Sequence, residues 1–497
     1  MKIGLICDIH MPDNENSAQA VFLKKAVAQM KDDGISLVIS LGDTTAAGEY
    51  RGFESYIDLV KKFESFTLLG NSDVRDKENA QRFLQESSSF KKELGTISLW
   101  GINTPYAKIG DADRKLLSEV KDGDVVFLHH SIPGLYDDSR QFLTSLANEK
   151  EITIIHAHSH KWLDYTLGKS RVVCIRALDP DKSIGNFPCI TYYDTDSKQF
   201  EERVFTVSNE VMYDARKLFG ISCVDNHRDV EYALDNSVYA IELRCNGSDW
   251  EPDYSLVPMI EQWRKKTNGY LSVHMPNLRY KNDKIIGAEQ WFIAVEYAKN
   301  IGADGMTMHP PKAKLEEMKQ KEVWDEFLKL YVYASQNVKE DINIGIENLH
   351  MGESETEKDR GFGYTPDEVS AWINAINTSL KKDGMVGHTL DVGHARNNGI
   401  LCEKFPISRW YEIMGNRTVA YHIHQVTPDG NNYKNHQAIE NWFGPMISYA
   451  SFFYCMEKNI LNHVPIFLEV QGSENYQKSI DGFEKCFNLK GESVENV

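Results

Sequence analysis

At 497 residues the chain is too long for one ordinary domain, and two or three are expected. With 41% hydrophobic and 26% charged residues it can bury sizeable cores, which excludes a disordered chain. Its formal net charge of −18 repels a nucleic-acid backbone at long range, so nucleic acid is not an expected partner, while a local pocket for one phosphate stays compatible.

The N-terminal run Met1 to Cys7 meets Asp8 at once and lacks the length and flanks of a signal peptide. No uninterrupted apolar run is long enough to span a bilayer. Eight scattered cysteines contain no CxxC pair, which argues for a reducing compartment. The expectation is a cytoplasmic protein with no membrane partner; the sequence leaves its oligomeric state open.

Short runs rich in β-branched residues, KIGLIC, SLVISLG, SFTLLG, DVVFLHH and EITIIHA, predict buried strands. A helical pattern from about Ala18 to Met30 separates the first two, and RVVCIRAL and CITYYDTD read as closing strands. Together they predict a layered α/β domain over residues 1–205. The stretch from about Ser197 to Phe219 is charged and less regular, and a linker is expected at 206–218. Eight further runs follow: GISCV, VYAIELR, YLSVHMP, GMTMHPP, INIGIENL, VGHTLDV, VAYHIHQV and VPIFLEV. Each but the sixth precedes a helical pattern, such as AEQWFIAVEYAKN or VWDEFLKLYVYA. That alternation predicts a (β/α)8 TIM barrel over residues 219–497. The fold class is therefore α/β in both parts.

Ligand-type residues stand at the ends of the N-terminal strands. Asp8 and His10 follow the first and, spaced by two, can point to one side. Asp43 follows the second and Asn71 the third; His129 and His130 end the fourth, with His129 preferred as the ligand. His158 and His160 follow the fifth. In one parallel sheet these ends line one edge. Carboxylate, amide and imidazole groups suit two divalent metals bridged by one Asp. Two such ions clamp a phosphoryl group and activate a hydroxide for in-line attack.

The ordered motifs Asp8-Ile9-His10, Gly42-Asp43, Gly70-Asn71-Ser72-Asp73, His129 and Ala157-His158-Ser159-His160 resemble those of calcineurin-like metallophosphoesterases, in a pattern closer to the small bacterial and archaeal phosphodiesterases of that superfamily. The resemblance covers roughly residues 1–200 and implies an α/β metallophosphoesterase sandwich. By it Asp8, His10, Asp43 and His160 would hold one metal. Asp43, Asn71, His129 and His158 would hold the other, with Asp43 bridging, and the ions would be Mn, Fe, Ni or Zn. Asp43, Asn71 and Asp73 would serve the catalytic step, Asp73 being equally suited to capping a helix or orienting a ligand. Two departures stand out. Ser72 occupies the position of a histidine that in many members helps protonate the leaving group, and Ala157 replaces a glycine.

The barrel's strand ends carry a second set: His274, His309, Glu347, Asp391, His394, His422, His424, His436 and Glu469. Burying so many imidazoles and carboxylates is costly without partners, and metal explains them together. The motifs SVHMP, MHPP, IENL, LDVGHA, HIHQ, NHQ and FLEV resemble the endonuclease IV and xylose-isomerase-like superfamily over residues 219–497. By that resemblance His274, His309, Glu347, Asp391, His394, His424, His436 and Glu469 are the ligands of one to three Zn or Mn ions. A shorter, isomerase-type set would be Glu347, Asp391, His424 and Glu469, with Glu347 and Glu469 catalytic. Lys434 stands where the endonuclease has a ligand Asp.

Arg279, Arg396 and Lys434 are candidate contacts for a substrate phosphate. Gly361-Phe362-Gly363-Tyr364 reads as a substrate loop or a plain turn over the barrel mouth, and Glu353 to Asp359 as a solvated acidic loop. The leading functional expectation is a metal-dependent phosphoesterase acting on a small phosphate ester, with the barrel working on the same or a related molecule. The alternatives are a sugar or sugar-phosphate isomerase or epimerase in the barrel, or a ligand-binding protein without turnover.

Overall fold

The computed structural model describes residues 1–245, 250–338, 341–352, 354–382, 384–429 and 432–488. Glu353, the first residue of the acidic stretch, lies outside them. The chain forms two compact units, one of residues 1–206 and 448–451, the other of 207–447 and 452–497. No helix among the described residues is long and apolar enough to cross a membrane, and none of the eight cysteines is in a disulfide.

In the first unit the apolar runs divide between two sheets rather than lining one edge of a single sheet. Lys2–Ile6 pairs in parallel with Leu37–Ser40, which pairs in parallel with Glu64–Thr67. On its other side Lys2–Ile6 pairs antiparallel with Cys189–Asp194, and Gln199–Val204 completes the five strands. The second sheet has six strands in the spatial order Phe90–Leu94, Ile97–Ile102, Val125–Leu128, Thr153–His156, Ser170–Cys174 and Leu163–Leu167. Its first hairpin lacks a continuous apolar run, since FKKEL exposes alternate residues. Ile3, Leu5, Leu37 and Ile39 of one sheet join Leu99, Val125, Phe127, Ile155 and Val173 of the other in one buried cluster. Such a two-sheet core is what the alternating inward residues of a sandwich produce. The helix Ala18–Asp32 is capped by Ser17, whose hydroxyl accepts from the Ala20 N–H at 3.1 Å. It buries Phe22, Leu23, Ala26, Val27 and Met30.

The stretch read as irregular contains a strand and a helix. Gln199–Val204 closes the first sheet, and Asn209–Lys217, capped by Ser208, occupies most of the expected linker. Charged residues hide both from an apolar-run reading, because each buries only part of one face.

The second unit is a closed barrel of eight strands: Phe219–Ser222, Ala240–Arg244, Tyr270–His274, Gly305–Met308, Asn343–Glu347, Val386–Asp391, Thr418–Ile423 and Ile466–Leu468. The first and last pair in parallel and close it. The sixth strand, where no helical run was expected, is followed by Val392–Arg396, Leu401–Lys404 and Ile407–Met414. These short pieces, interrupted by Asn397-Asn398-Gly399 and Pro406, carry too few turns for a periodic signal. The last still buries Ile407, Trp410, Tyr411 and Met414. After the seventh strand a hairpin, Gln425–Asp429 with Asn432–Gln437, precedes the helix Ala450–Glu457.

Candidate metal centres

In the first unit the ligand-type residues sit just past strand ends, in backbone conformations that ordinary side chains avoid. Asp8 (φ 48°), His10 (φ 48°), Asp43 (φ 50°), His158 (φ 70°) and His160 (φ 57°) are all left-handed. Each such residue costs of order 1–3 kcal/mol and persists only where its surroundings fix it. Here the Asp8 N–H donates to Gly42 O at 3.0 Å, and the N–H groups of Ile9 and His10 both donate to Asp43 O, at 2.9 and 3.0 Å. Asp8 and His10 therefore reach one side through two left-handed turns and not through strand alternation. Gly70 makes room for Asp43: a Cβ there would lie 2.2 Å from Asp43 Oδ1 and 2.5 Å from its amide nitrogen.

These turns gather two groups, Asp8 with His10 and His160, and Asp43 with His129 and His158, each with its ligand atoms within 4.8 Å of one another. Asp43 links them. Its Oδ2 is 3.3 Å from His10 Nε2 and its Oδ1 3.5 Å from His129 Nε2. Asn71 Oδ1 lies 3.3 Å and His158 Nδ1 3.2 Å from the same His129 nitrogen. His129 Nδ1 is 2.9 Å from Leu41 O, which can only accept. The proton therefore sits on Nδ1, and the Nε2 lone pair faces the group. His130 instead packs against His158, ring centres 4.6 Å apart and planes tilted by 32°, and joins neither group.

Asp73 is not brought to either group. Its Oδ1 accepts from the N–H and hydroxyl of Thr45 at 2.8 and 3.0 Å, and its Oδ2 from the Gly70 N–H at 2.9 Å. It holds the backbone at Thr45 and Gly70, an orienting contact of the kind the sequence left open for it beside a direct catalytic one. Burial and the Asp43 charge push its carboxyl up to about 6. Ser72, at the place of the missing acid, donates its backbone N–H to Asp43 Oδ1 at 2.7 Å.

Asp179, which the sequence did not single out, is fully buried 3.3 Å from His10 Nδ1 and is itself held by the Gln19 amide and the Asp181 N–H. A carboxylate behind an imidazole fixes its ring and raises its basicity. Burial opposes a proton on His10, but Asp179 and Asp43 outweigh it and raise its pKa to about 9. Burial likewise opposes charge on Asp43, yet the nearby His129 and His10 hold it well below the ordinary carboxylate range.

The barrel gathers three groups at the carboxyl ends of its strands: His274, His309 and Glu347; Glu347, Asp391, His422 and Glu469, which shares Glu347 with the first; and His394, His424 and His436. Glu347 Oε2 is 3.1 Å from His274 Nε2, 3.2 Å from His309 Nε2 and 3.5 Å from His422 Nδ1. Glu469 Oε2 is 3.2 Å from the same His422 nitrogen. The four-residue set thus contains His422 where His424 was expected. His422 is the inward residue of strand Thr418–Ile423, whereas His424 lies past its end, with its ring 4.5 Å from that of His436 and its Nε2 3.4 Å from Asp391 Oδ1. A further carboxylate, Glu242, lies 2.9 Å from His422 Nε2 and accepts from the hydroxyls of Ser222, Ser272 and Thr307. Its signal was a single acid inside the apolar run VYAIELR.

A cavity of about 790 Å³ opens over these groups, lined among others by Arg244, His309, Lys312, Glu347, Tyr364 and Glu469. Gly361, Phe362 and Tyr364 form part of its wall. Glu355, read as solvated, accepts from Gly352 N, Gly361 N and the Tyr364 hydroxyl. None of the three expected phosphate contacts lines the cavity. Arg279 is exposed on the hairpin Arg279–Lys281/Lys284–Ile286, Arg396 donates to Met446 O in a neighbouring cleft, and Lys434 is exposed on the second strand of the Gln425–Gln437 hairpin. The basic side chains on the wall are Arg244, Lys312 and Lys314.

The residues fit divalent ions. Asp8 Oδ1, Glu347 Oε1, Asp391 Oδ2 and Glu469 Oε2 are buried and make no hydrogen bond. Buried carboxylate oxygens without a donor are costly, and ligand atoms within 4.8 Å of each other can surround one ion at the usual 2.0–2.2 Å.

Residues 230–486, over half of the chain, match the family model described as xylose isomerase-like TIM barrel, and residues 1–162 match that of calcineurin-like phosphoesterase. Both families are typically metal-dependent. Among solved structures, a dimetal phosphatase from Danio rerio is 12% identical, covering 39% of this chain and 92% of its own, with a TM-score of 0.31. A D-tagatose 3-epimerase-like protein is 19% identical, covering 56% and 99%, with a TM-score of 0.40. An L-ribulose 3-epimerase is 12% identical over 56% and 99%, with a TM-score of 0.36. No curated protein matches the chain.

Proposed function

From a chain that belongs to the xylose isomerase-like TIM barrel family and carries a calcineurin-like phosphoesterase region ahead of that barrel, we propose a hydrolase of phosphodiester or phosphomonoester bonds in a small molecule, with its chemistry in the N-terminal unit. The observation that carries this reading is Asp43, whose two oxygens face His10 on one side and His129 on the other. One carboxylate between two ligand groups suits a pair of divalent cations, of Mn, Fe, Ni or Zn type. Bound there, such a pair supplies Lewis acidity to the phosphoryl group and acidifies water.

The chain's own residues do the rest. Asp8, His10 and His160 form one side of the centre, and Asn71, His129 and His158 the other. Asp179 keeps His10 oriented, and Asp73 with Ser72 fixes the loop that presents Asp43 and Asn71. Because Ser72 replaces the histidine acid, esters with good leaving groups are the favoured substrates. The test is hydrolysis of a chromogenic phosphodiester by the full chain with added manganese. Asp43→Ala is expected to lose at least about 100-fold in rate; equal rates would overturn the reading.

For the barrel, one observation favours carbon-acid chemistry over a second hydrolysis. Glu347 and Glu469 approach the same His422 nitrogen, at 3.5 and 3.2 Å, from different strands. Two carboxylates converging on one ion-sized point can take a proton from one face of a substrate carbon and return it on the other. Incorporation of solvent deuterium into sugars or sugar phosphates, lost in Glu347→Gln, tests it. Absence of exchange across such a panel would leave the barrel without that role.

A further inference from the structure

The barrel cavity holds a cation that the metal-type groups do not explain. Lys312 follows His309 by three residues, is half-buried, and lines the cavity. Arg244, which also lines the cavity, is committed to Glu469 Oε1 at 2.7 Å. Lys312 has no hydrogen bond or ion pair from its ammonium among the described residues. Its backbone is fixed: its N–H donates to Leu278 O at 3.0 Å, its carbonyl accepts from Tyr280 N at 3.1 Å, and it bridges Arg279 in parallel. The hairpin thus sets a second positive charge beside it. Burial, reinforced by Arg279, works against the Lys312 charge, and Glu347 offsets them in part. The Lys312 ammonium has no hydrogen-bonding partner of its own among the described residues, and an oxyanion placed beside it would supply one.

We propose that Lys312, supported by the field of Arg279, is the anchor for an oxyanion, a phosphate or a carboxylate, on the sugar-sized ligand of the barrel cavity. The cavity, about 790 Å³, suits a ligand of that size. The reactive carbons would then lie toward Glu347 and Glu469, with the anion held at Lys312. This inference rests on the reading of the barrel groups as metal ligands. It also moves the anion contact from Arg396 and Lys434, which face elsewhere, to a residue inside the cavity.

The test uses the full chain loaded with manganese. Metal content per chain is measured first for the wild type, Lys312→Gln and Arg279→Gln. Inorganic phosphate and acetate are then titrated calorimetrically into each, the two anions separating a phosphate from a carboxylate site. The N-terminal unit contributes equally to all three proteins, so differences report the barrel. Lys312→Gln is expected to weaken at least one anion about tenfold or more at unchanged metal content, and Arg279→Gln, an exposed change that the fold tolerates, a few-fold. Isotherms superimposing on the wild type in both variants, with metal retained, would overturn the proposal. A wild-type chain with ions only in its N-terminal unit would instead overturn the metal reading beneath it, and the anchor with it.

Discussion

The Asp179 carboxylate touches no expected ligand except His10, yet it sets what His10 can do. Asp179→Asn keeps the shape and removes the charge behind the ring. It is expected to weaken metal binding about 10–100-fold while leaving the rate at saturating manganese nearly unchanged. A titration of diesterase activity against manganese reads both; an unshifted curve would make Asp179 a packing residue. Ligand types were legible at this scale because short motifs, DxH, GD, GN and HxH, compress the chemistry into a few positions. Asp179 and Glu242 were not, because each acts through an imidazole far away in sequence. His422 and His424 show the limit of periodicity. Spaced by two, they read as equivalent, but the strand ends at Ile423 and only His422 keeps the inward side. Separate metal counts should show it: His422→Ala and His424→Ala each remove an increment, and the double variant removes the sum, because their groups differ.

The turns between elements carry the site, and glycine decides whether they close. Gly70→Ala would set a methyl group 2.2 Å from Asp43 Oδ1. The expected cost is about 1–3 kcal/mol of stability together with most of the diesterase activity. Gly95→Ala is the control. Its φ of 62° is left-handed, unlike that of Gly70, but nothing lies within 4 Å of the added Cβ, so about 1 kcal/mol from the backbone alone and full activity are expected. Denaturant melts with parallel rate measurements compare the two, and equal losses of activity would remove the steric argument. The barrel strands were legible because they are short, buried and mostly apolar runs that alternate with helical patterns. The hairpin Phe90–Leu94/Ile97–Ile102 and the helix Ile407–Met414 were not, since one alternates charge with apolar residues and the other spans only two turns. The division of the first unit into two sheets was invisible for a related reason. Strand character is local, whereas sheet membership depends on which distant strand supplies the neighbouring edge.

Across the chain, the same composition of buried imidazole and carboxylate occurs in both units, so each is expected to need its ions for stability. A site filled at a hundred times its dissociation constant adds about 2.7 kcal/mol to the unit that holds it. Chelation should therefore lower the melting temperature, and manganese should restore it. The two units can be told apart by changing one at a time. Glu347 belongs to two of the three barrel groups, so Glu347→Gln should abolish the chelator effect on the barrel and, if the two sites act independently, leave diester hydrolysis within about twofold of the wild type. Asp43→Ala should do the converse. Calorimetric scans of both variants, with and without chelator, give the answer directly. If either variant removes the metal response of the whole molecule, the units are coupled, and hydrolysis and barrel chemistry must be treated as parts of one reaction sequence.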